Sequence, residues 1–262
     1  MKLLFSHANG YPPESYRALL NDLGKQLGAE VKTHAHRPLV SDDPAPTFLS
    51  WQAYASDLID RIERDASDPV WLVGHSMGAA SAILAAARRP ELFSGIVALD
   101  PVLVPTRIWF WSRVLSCFKP DAMPIVARAL ARPHCFASTQ AAFDFYRSKR
   151  VFAQIRDEVL MDYVVGGHRE KADGGLVLRH SGAWEACIYR SVPRMAGPLK
   201  SVSCPILVVA GDTSNVLDAE RLAWAKSLNN LVSVTSLPGG HLLPLEFPEA
   251  CSRVAAEFIS TH

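Results

Sequence analysis

The pentapeptide Gly74-His75-Ser76-Met77-Gly78 constrains this chain more than any other feature, because of what flanks it. An apolar run, Val70-Trp71-Leu72-Val73, precedes it, and a stretch of small residues from Ala79 to Arg88 follows. A short apolar run ending at a glycine reads as a buried strand, and the alanine-rich segment reads as a helix. The pentapeptide is then the turn between them, with a serine at its apex. A serine held in such a strained turn has its Oγ lifted above the sheet, within reach of a base and an electrophile. Both glycines are needed for steric reasons, since a Cβ at either would collide with the neighbouring strand and helix. The helix start behind the serine leaves backbone N–H groups free to stabilise an oxyanion.

A nucleophilic serine at neutral pH needs a base, and the chain offers one late, in Gly239-Gly240-His241-Leu242-Leu243-Pro244. A histidine in a glycine-rich loop after the last strand can swing over the turn. The alternative is that His241 caps a final helix beginning near Pro248. His34 and His36 stand two residues apart at a strand end, a spacing compatible with a metal pair, but a pair without a third ligand does not make a site. No metal or other cofactor is expected.

Three segments resemble motifs of the α/β-hydrolase superfamily: Ser6-His7-Ala8-Asn9-Gly10-Tyr11-Pro12 its oxyanion loop, Gly74 to Gly78 its nucleophile elbow, and Gly240-His241 its histidine loop. The likeness covers nearly the whole chain. The first loop departs from the pattern, with His-Ala-Asn-Gly where a typical member has His-Gly and an apolar residue. The resemblance implies Ser76 as nucleophile, His241 as base, and an oxyanion hole from the backbone N–H groups of Met77 and Asn9, with Ala8 the alternative to Asn9. It also implies the chain order serine, acid, histidine.

The acid is where the pattern departs further. Its usual place is the fourth position of a Gly-x-x-Asp segment after the penultimate strand, which here falls on Ser214, because Gly211 leads into Asp212-Thr213-Ser214. A hydroxyl cannot stabilise an imidazolium as a carboxylate does. Three candidates remain: Asp100, Asp212 and Asp218. Asp100 is the expected acid, since it ends the run Gly95-Ile96-Val97-Ala98-Leu99 and parallel strands deliver their C-terminal ends to one rim. Some superfamily members place the acid after this strand. The structural alternative for Asp100 is a helix N-cap or a turn residue before Pro101.

The alternation of apolar runs and helical segments predicts an α/β fold with a doubly wound, mostly parallel sheet of about six strands. Strands are expected near 2–6, 30–35, 70–74, 95–99, 205–210 and 231–236, with helices near 14–28, 48–66, 77–88, 218–228 and 248–260. Two strands that precede the first one in typical members have no room ahead of Lys2, so a shortened sheet is expected. Residues 1–100 and 199–262 form the expected core, and 101–198 a helical cap, since that stretch shows no clear buried strand and is divided by Pro120, Pro124, Pro133 and Gly166-Gly167. Asp173-Gly174-Gly175-Leu176-Val177 reads as a turn or hairpin. Ile108, Trp111, Val114, Leu115 and Phe118 recur at helical spacing, and Trp109 and Phe110 add apolar surface on another face. That aromatic segment is expected to dock the cap on the sheet, with one or two residues lining an acyl pocket or its entrance, and membrane contact is the alternative.

Composition narrows the class. A chain of 262 residues with 49% hydrophobic and 20% charged residues can bury a full core, and a net charge of +1 supplies no basic field to attract nucleic acid. The five cysteines, Cys117, Cys135, Cys187, Cys204 and Cys251, lack metal-ligand spacing and are odd in number, which suits a reducing compartment. The apolar start, Met1 to Phe5, is too short for a signal peptide or span. Together with the serine, histidine and acid that the resemblance implies, the expectation is a cytoplasmic serine carboxylesterase acting on a small to medium ester, with no nucleic-acid or membrane partner. Thioesterase, lactonase or carbon–carbon hydrolase chemistry on the same residues is the near alternative. A ligand receptor that has lost turnover, and a peripheral lipase-like protein, are the readings from other classes.

Overall fold

The computed structural model describes residues 1–41, 43–106, 109–110, 123–172 and 174–262. Its main sheet has six strands: β1 (Leu3–Ser6), β2 (Val31–His34), β3 (Val70–His75), β4 (Phe93–Leu99), β8 (Ile206–Gly211) and β9 (Val232–Leu237). Their order is β2-β1-β3-β4-β8-β9, and every pairing is parallel. β1, β3 and β8 are buried along their whole length, as unbroken apolar runs require when a parallel sheet is covered on both faces.

Alternation along the strands divides the core in two. Leu4, Leu72, Ile96 and Val208 point to one face, packed under α2 (Trp51–Asp65), α3 (Met77–Arg88) and α9 (Ala219–Leu228). Phe5, Val73, Val97 and Val209 point to the other, covered by α1 (Arg17–Leu27) and α10 (Pro248–Thr261). These helices bury stripes at helical spacing: Trp51, Tyr54, Leu58 and Ile62 in α2 recur every three or four residues. Helices on both faces of a parallel sheet make the doubly wound class that the sequence predicts.

Between β4 and β8 the chain forms α4 (Pro124–Leu130), α5 (Thr139–Arg147), α6 (Asp157–Gly167), α7 (Gly182–Arg190) and α8 (Ala196–Ser201). It also forms a small antiparallel sheet, β5 (Cys135–Phe136), β7 (Leu176–Leu178) and β6 (His168–Glu170), in the order β5-β7-β6. That sheet corrects the expectation of a segment without strands. Strands of two or three residues are too short for an alternating pattern to register. The expected hairpin is present, with Gly174 at φ 89° and Gly175 at φ 77° between β6 and β7, while Asp173 lies outside the described residues.

Among its described residues this insertion has one small core of its own, Val126, Ala129 and Ala186. Tyr146, Phe152, Leu160 and Tyr163 belong to the same apolar cluster as Phe5, Val73 and Val97 of the sheet. Of the aromatic segment, Ile108, Trp111, Val114, Leu115 and Phe118 lie outside the described residues. Trp109 donates its indole N–H to the Val192 carbonyl at 3.0 Å, and Phe110 is exposed. Among the described residues no helix is long and apolar enough to cross a membrane. Cys135, Cys187, Cys204 and Cys251 are free thiols.

Two glycines test the packing of the elbow. A Cβ on Gly78 would stand 2.2 Å from the Ser6 carbonyl oxygen, whereas one on Gly197, in α8, would meet nothing within 4 Å. Gly78→Ala is expected to lower unfolding free energy by about 3 kcal/mol. Gly197→Ala should raise it by about 0.5–1 kcal/mol through helix propensity. Denaturant titration of the two variants beside the wild type checks both signs.

Candidate active site

β3 ends at His75, α3 begins at Met77, and Ser76 stands between them at φ 53° and ψ −113°. A non-glycine residue held there is strained, and its neighbours hold it. The Ser76 N–H donates to the Leu99 carbonyl at 3.0 Å, and its carbonyl accepts from the Ala80 N–H at 3.1 Å. A Cβ on Gly74 would lie 2.7 Å from the Ala79 backbone, so strand and helix touch directly behind the serine.

His241 reaches this turn from the loop after β9. Gly239, at φ 124°, turns the chain, and the Gly240 N–H donates to the Glu246 carboxylate at 2.7 Å. His241 is not a helix cap: its Nδ1–H donates to Asp100 Oδ2 at 2.5 Å, so its Nε2 accepts from the Ser76 hydroxyl at 3.0 Å. Asp100 is fully buried at φ 42°, and its N–H donates to the Val209 carbonyl at 2.7 Å. Its Oδ1 accepts from the Gly211 N–H at 3.1 Å, and its Oδ2 from the Ser214 hydroxyl at 2.7 Å. The N–H groups of Val216 and Leu217 donate to the Ser214 oxygen, which leaves its hydrogen for Asp100. Ser214 thus supports the buried carboxylate of Asp100 on the adjacent strand.

The other two carboxylates are engaged elsewhere. Asp212 accepts from the Gly239 N–H at 3.0 Å. Asp218 caps α9, accepting from the Arg221 N–H at 2.8 Å and pairing with the Arg221 guanidinium at 2.9 Å.

The loop after β1 passes against the start of α3 at Gly78, beside the Ser6 and His7 carbonyls. The Ala8 N–H donates to the Tyr16 hydroxyl at 3.3 Å, so the next donor along the loop is the Asn9 N–H. Met77 is the first residue of its helix, and its N–H has no acceptor four residues back within it. The insertion holds the loop from the other side. The Asn9 side-chain amide donates to the Glu185 carbonyl at 3.1 Å, and Glu185 pairs with Arg132 at 2.8 Å in a largely buried contact. Arg132 also donates to the hydroxyls of Tyr146 and Tyr163.

Sequence reasoning missed this pair, and it missed Tyr16 and His75. The His75 Nε2–H donates to the His241 carbonyl at 2.8 Å, and its Nδ1 accepts from the Tyr16 hydroxyl at 2.7 Å. The one signal available was that a histidine inside a buried elbow must find partners for both ring nitrogens.

His34 and His36 belong to a cluster of neutral imidazoles. His36 lies 4.7 Å from the His7 ring and 4.8 Å from that of His34. The His7 Nδ1–H donates to the Ala8 carbonyl, and its Nε2 accepts from the His36 N–H. Among the described residues no group of three or more His, Cys, Asp or Glu is placed to hold a metal ion. A cleft of about 360 Å³ lined by Lys2, Glu30, Lys32 and Arg61 opens at the N-terminal ends of β1 to β3, the opposite end of the strands from Ser76.

A strand, a strained serine and a helix, with a hydrogen-bonded histidine and aspartate from later loops, define the architecture of a hydrolase of the α/β type. The sequence profile of the alpha/beta hydrolase family matches residues 3–254, and the chain belongs to that family. It is 26% identical over 262 residues to 2-(acetamidomethylene)succinate hydrolase of Mesorhizobium japonicum, covering 98% of this chain and 87% of that one. It is 29% identical over 274 residues to human (Homo sapiens) monoglyceride lipase, covering 97% and 80%. The crystal structure of E-2-(acetamidomethylene)succinate hydrolase superposes with a TM-score of 0.80 at 24% identity, over 99% of this chain and 91% of that one. The thioesterase domain from the curacin biosynthetic pathway superposes at 0.73 and 18%, over 96% and 89%.

The buried imidazoles give stability a pH dependence. Burial holds the pKa of His7 and of His34 down to about 4, from an ordinary value of 6.5. The unfolded chain therefore takes up protons that the folded chain refuses as pH falls from about 6.5 towards 4. The stabilisation from these groups is complete above pH 6.5 and is lost on acidification, by about 1.4 kcal/mol per pH unit for each imidazole. Between pH 6 and 5 the denaturation midpoint should fall steeply, and His34→Gln should reduce that slope by one imidazole's share.

Proposed function

We propose that this protein is a serine hydrolase that cleaves a small to medium carboxylic ester by acyl transfer to water. The observation that carries the reading is the unbroken hydrogen-bonded sequence Ser76, His241, Asp100. In this reading the Ser76 hydroxyl gives its proton to His241 Nε2 as Oγ attacks the ester carbonyl. The tetrahedral oxyanion is held by the N–H groups of Met77 and Asn9, and Asp100 stabilises the imidazolium. His241 then returns the proton to the leaving alcohol. In deacylation it takes a proton from water as that water attacks the acyl-serine carbonyl, and Ser76 leaves with the proton restored. All the groups required are side chains and backbone of this chain, so the step needs no cofactor.

Residues 101–198 serve as the cap in this proposal, over a core of 1–100 and 199–262. Its support is the contact between the insertion and the loop that carries Asn9. The named relatives include hydrolases of 2-(acetamidomethylene)succinate and of monoglycerides, which favour hydrolysis without choosing among acyl groups.

A fluorophosphonate should modify Ser76, located by mass spectrometry, and Ser76→Ala should abolish both labelling and hydrolysis of short activated esters. Asp100→Asn is expected to lower kcat by about ten-thousand-fold. Asp212→Asn and Asp218→Asn should stay within about tenfold of wild type, because neither carboxylate bonds to Ser76 or His241: Asp212 accepts from the Gly239 N–H, which an amide oxygen can replace, and Asp218 caps a helix. Adduct formation elsewhere would remove the serine mechanism, and collapse of activity in the Asp212 variant alone would reassign the acid.

A further inference from the structure

We propose that Tyr16 and His75 are positioning residues that lock the oxyanion loop and the histidine loop to each other through the interior of the elbow. The inference rests on the reading of Ser76 and His241 given above. It starts from a continuous run of three hydrogen bonds: Ala8 N–H to Tyr16 hydroxyl at 3.3 Å, Tyr16 hydroxyl to His75 Nδ1 at 2.7 Å, and His75 Nε2–H to the His241 carbonyl at 2.8 Å. Ala8, Tyr16 and His75 are each at most 2% exposed.

The direction of every link follows from its ends. A backbone N–H can only donate and a backbone carbonyl can only accept. The His241 carbonyl therefore requires the hydrogen of His75 on Nε2. Burial keeps His75 neutral, well below the usual imidazole range, so its Nδ1 has a lone pair and accepts. The Tyr16 hydroxyl must then donate to Nδ1, which leaves its oxygen to accept from Ala8. Reversing any one bond would leave a buried donor facing a donor, or an acceptor facing an acceptor. The run has a single self-consistent arrangement.

Two consequences bear on the reaction. The Ala8 N–H is occupied, so the oxyanion donor of this loop is the Asn9 N–H, and Tyr16 enforces that choice. His241 is held at its backbone carbonyl by His75 while its ring is held by Asp100 and Ser76. A base fixed at both ends keeps its Nε2 aimed at the serine, and misplacement by about 1 Å is enough to cost about a hundredfold in rate. The rings of His75 and His241 lie 5.1 Å apart, so a neutral His75 also spares the His241 imidazolium a like-charge neighbour.

The test uses Tyr16→Phe, His75→Phe and His75→Gln in the full chain, at a temperature where each unfolds cooperatively well above the assay. Tyr16→Phe removes one oxygen, and His75→Phe removes both ring partners. His75→Gln retains an amide N–H that can reach the His241 carbonyl. The expected result is a fall in kcat and in the rate of fluorophosphonate labelling of about tenfold or more in both Phe variants, with KM within about twofold, and recovery of most of the loss in His75→Gln. Wild-type kcat in either folded Phe variant overturns the proposal, as does an equal loss in His75→Gln and His75→Phe, or an effect confined to KM. If His75→Phe does not fold, Tyr16→Phe decides alone. Failure of the wild type to label at Ser76 would instead remove the underlying reading, so the two failures are told apart.

Discussion

The register between β3 and β4 is the constraint on which the rest of the site depends. Gly74 pairs with Ala98 and His75 with Leu99, so Ser76 and Asp100 are the next residues out of two adjacent parallel strands. Both leave their strands with positive φ, at 53° and 42°, the only two non-glycine residues among those described to do so. Adjacent strands lie about 4.8 Å apart, which brings the two side chains within the span of one imidazole. The Ser76 N–H bonded to the Leu99 carbonyl and the Asp100 N–H bonded to the Val209 carbonyl continue the ladder past the strand ends and hold both strained turns. Strain of about 1–3 kcal/mol at each position persists because the sheet over-determines it.

The same register explains why an acid on β4 needs help from β8. A carboxylate at zero exposure is costly unless hydrogen bonds replace its water. Asp100 has three: His241, the Gly211 N–H at the end of β8, and the Ser214 hydroxyl just beyond. A hydrogen bond to a charged group contributes about 1.5–3 kcal/mol, and Ser214 can supply one because two backbone N–H groups already fill its oxygen. Ser214, after β8, is therefore complementary to the Asp100 carboxylate one strand away.

Much of this was legible in the letters, and the remainder failed for a physical reason. Val70 to Val73 and Ile206 to Gly211 announce buried strands because a strand covered on both faces is apolar at every position. Ser76 announces an elbow because an apolar strand precedes its glycines and a small-residue helix follows them. Ile206 and the strands beside it lie within a few residues of where periodicity puts them. Contacts that join distant segments leave no such trace. Tyr16 meets His75 across 59 residues, His75 meets His241 across 166, and Arg132 meets Glu185 across 53. None of these pairs lies on a repeating pattern, and a tyrosine or an arginine carries no mark of its partner. The strands β5 to β7 were invisible because three residues do not establish a period.

The insertion is tied to the core more tightly than a separate lid would be. Its tyrosines and leucines complete the apolar face that Phe5, Val73 and Val97 begin, in one continuous cluster. At the loop after β1 the tie is polar. Asn9 bonds to the Glu185 carbonyl, and Glu185 is balanced by Arg132 in a setting where removing one partner would strand a charge at about 3–5 kcal/mol. α7 is thereby joined to Asn9 by a side-chain hydrogen bond to the Glu185 carbonyl. Sequence drift in α7 that moves the Glu185 carbonyl therefore acts on the loop after β1. The Tyr16–His75 run resists that drift from the opposite side of the loop, because it fixes Ala8 through groups that the insertion does not supply.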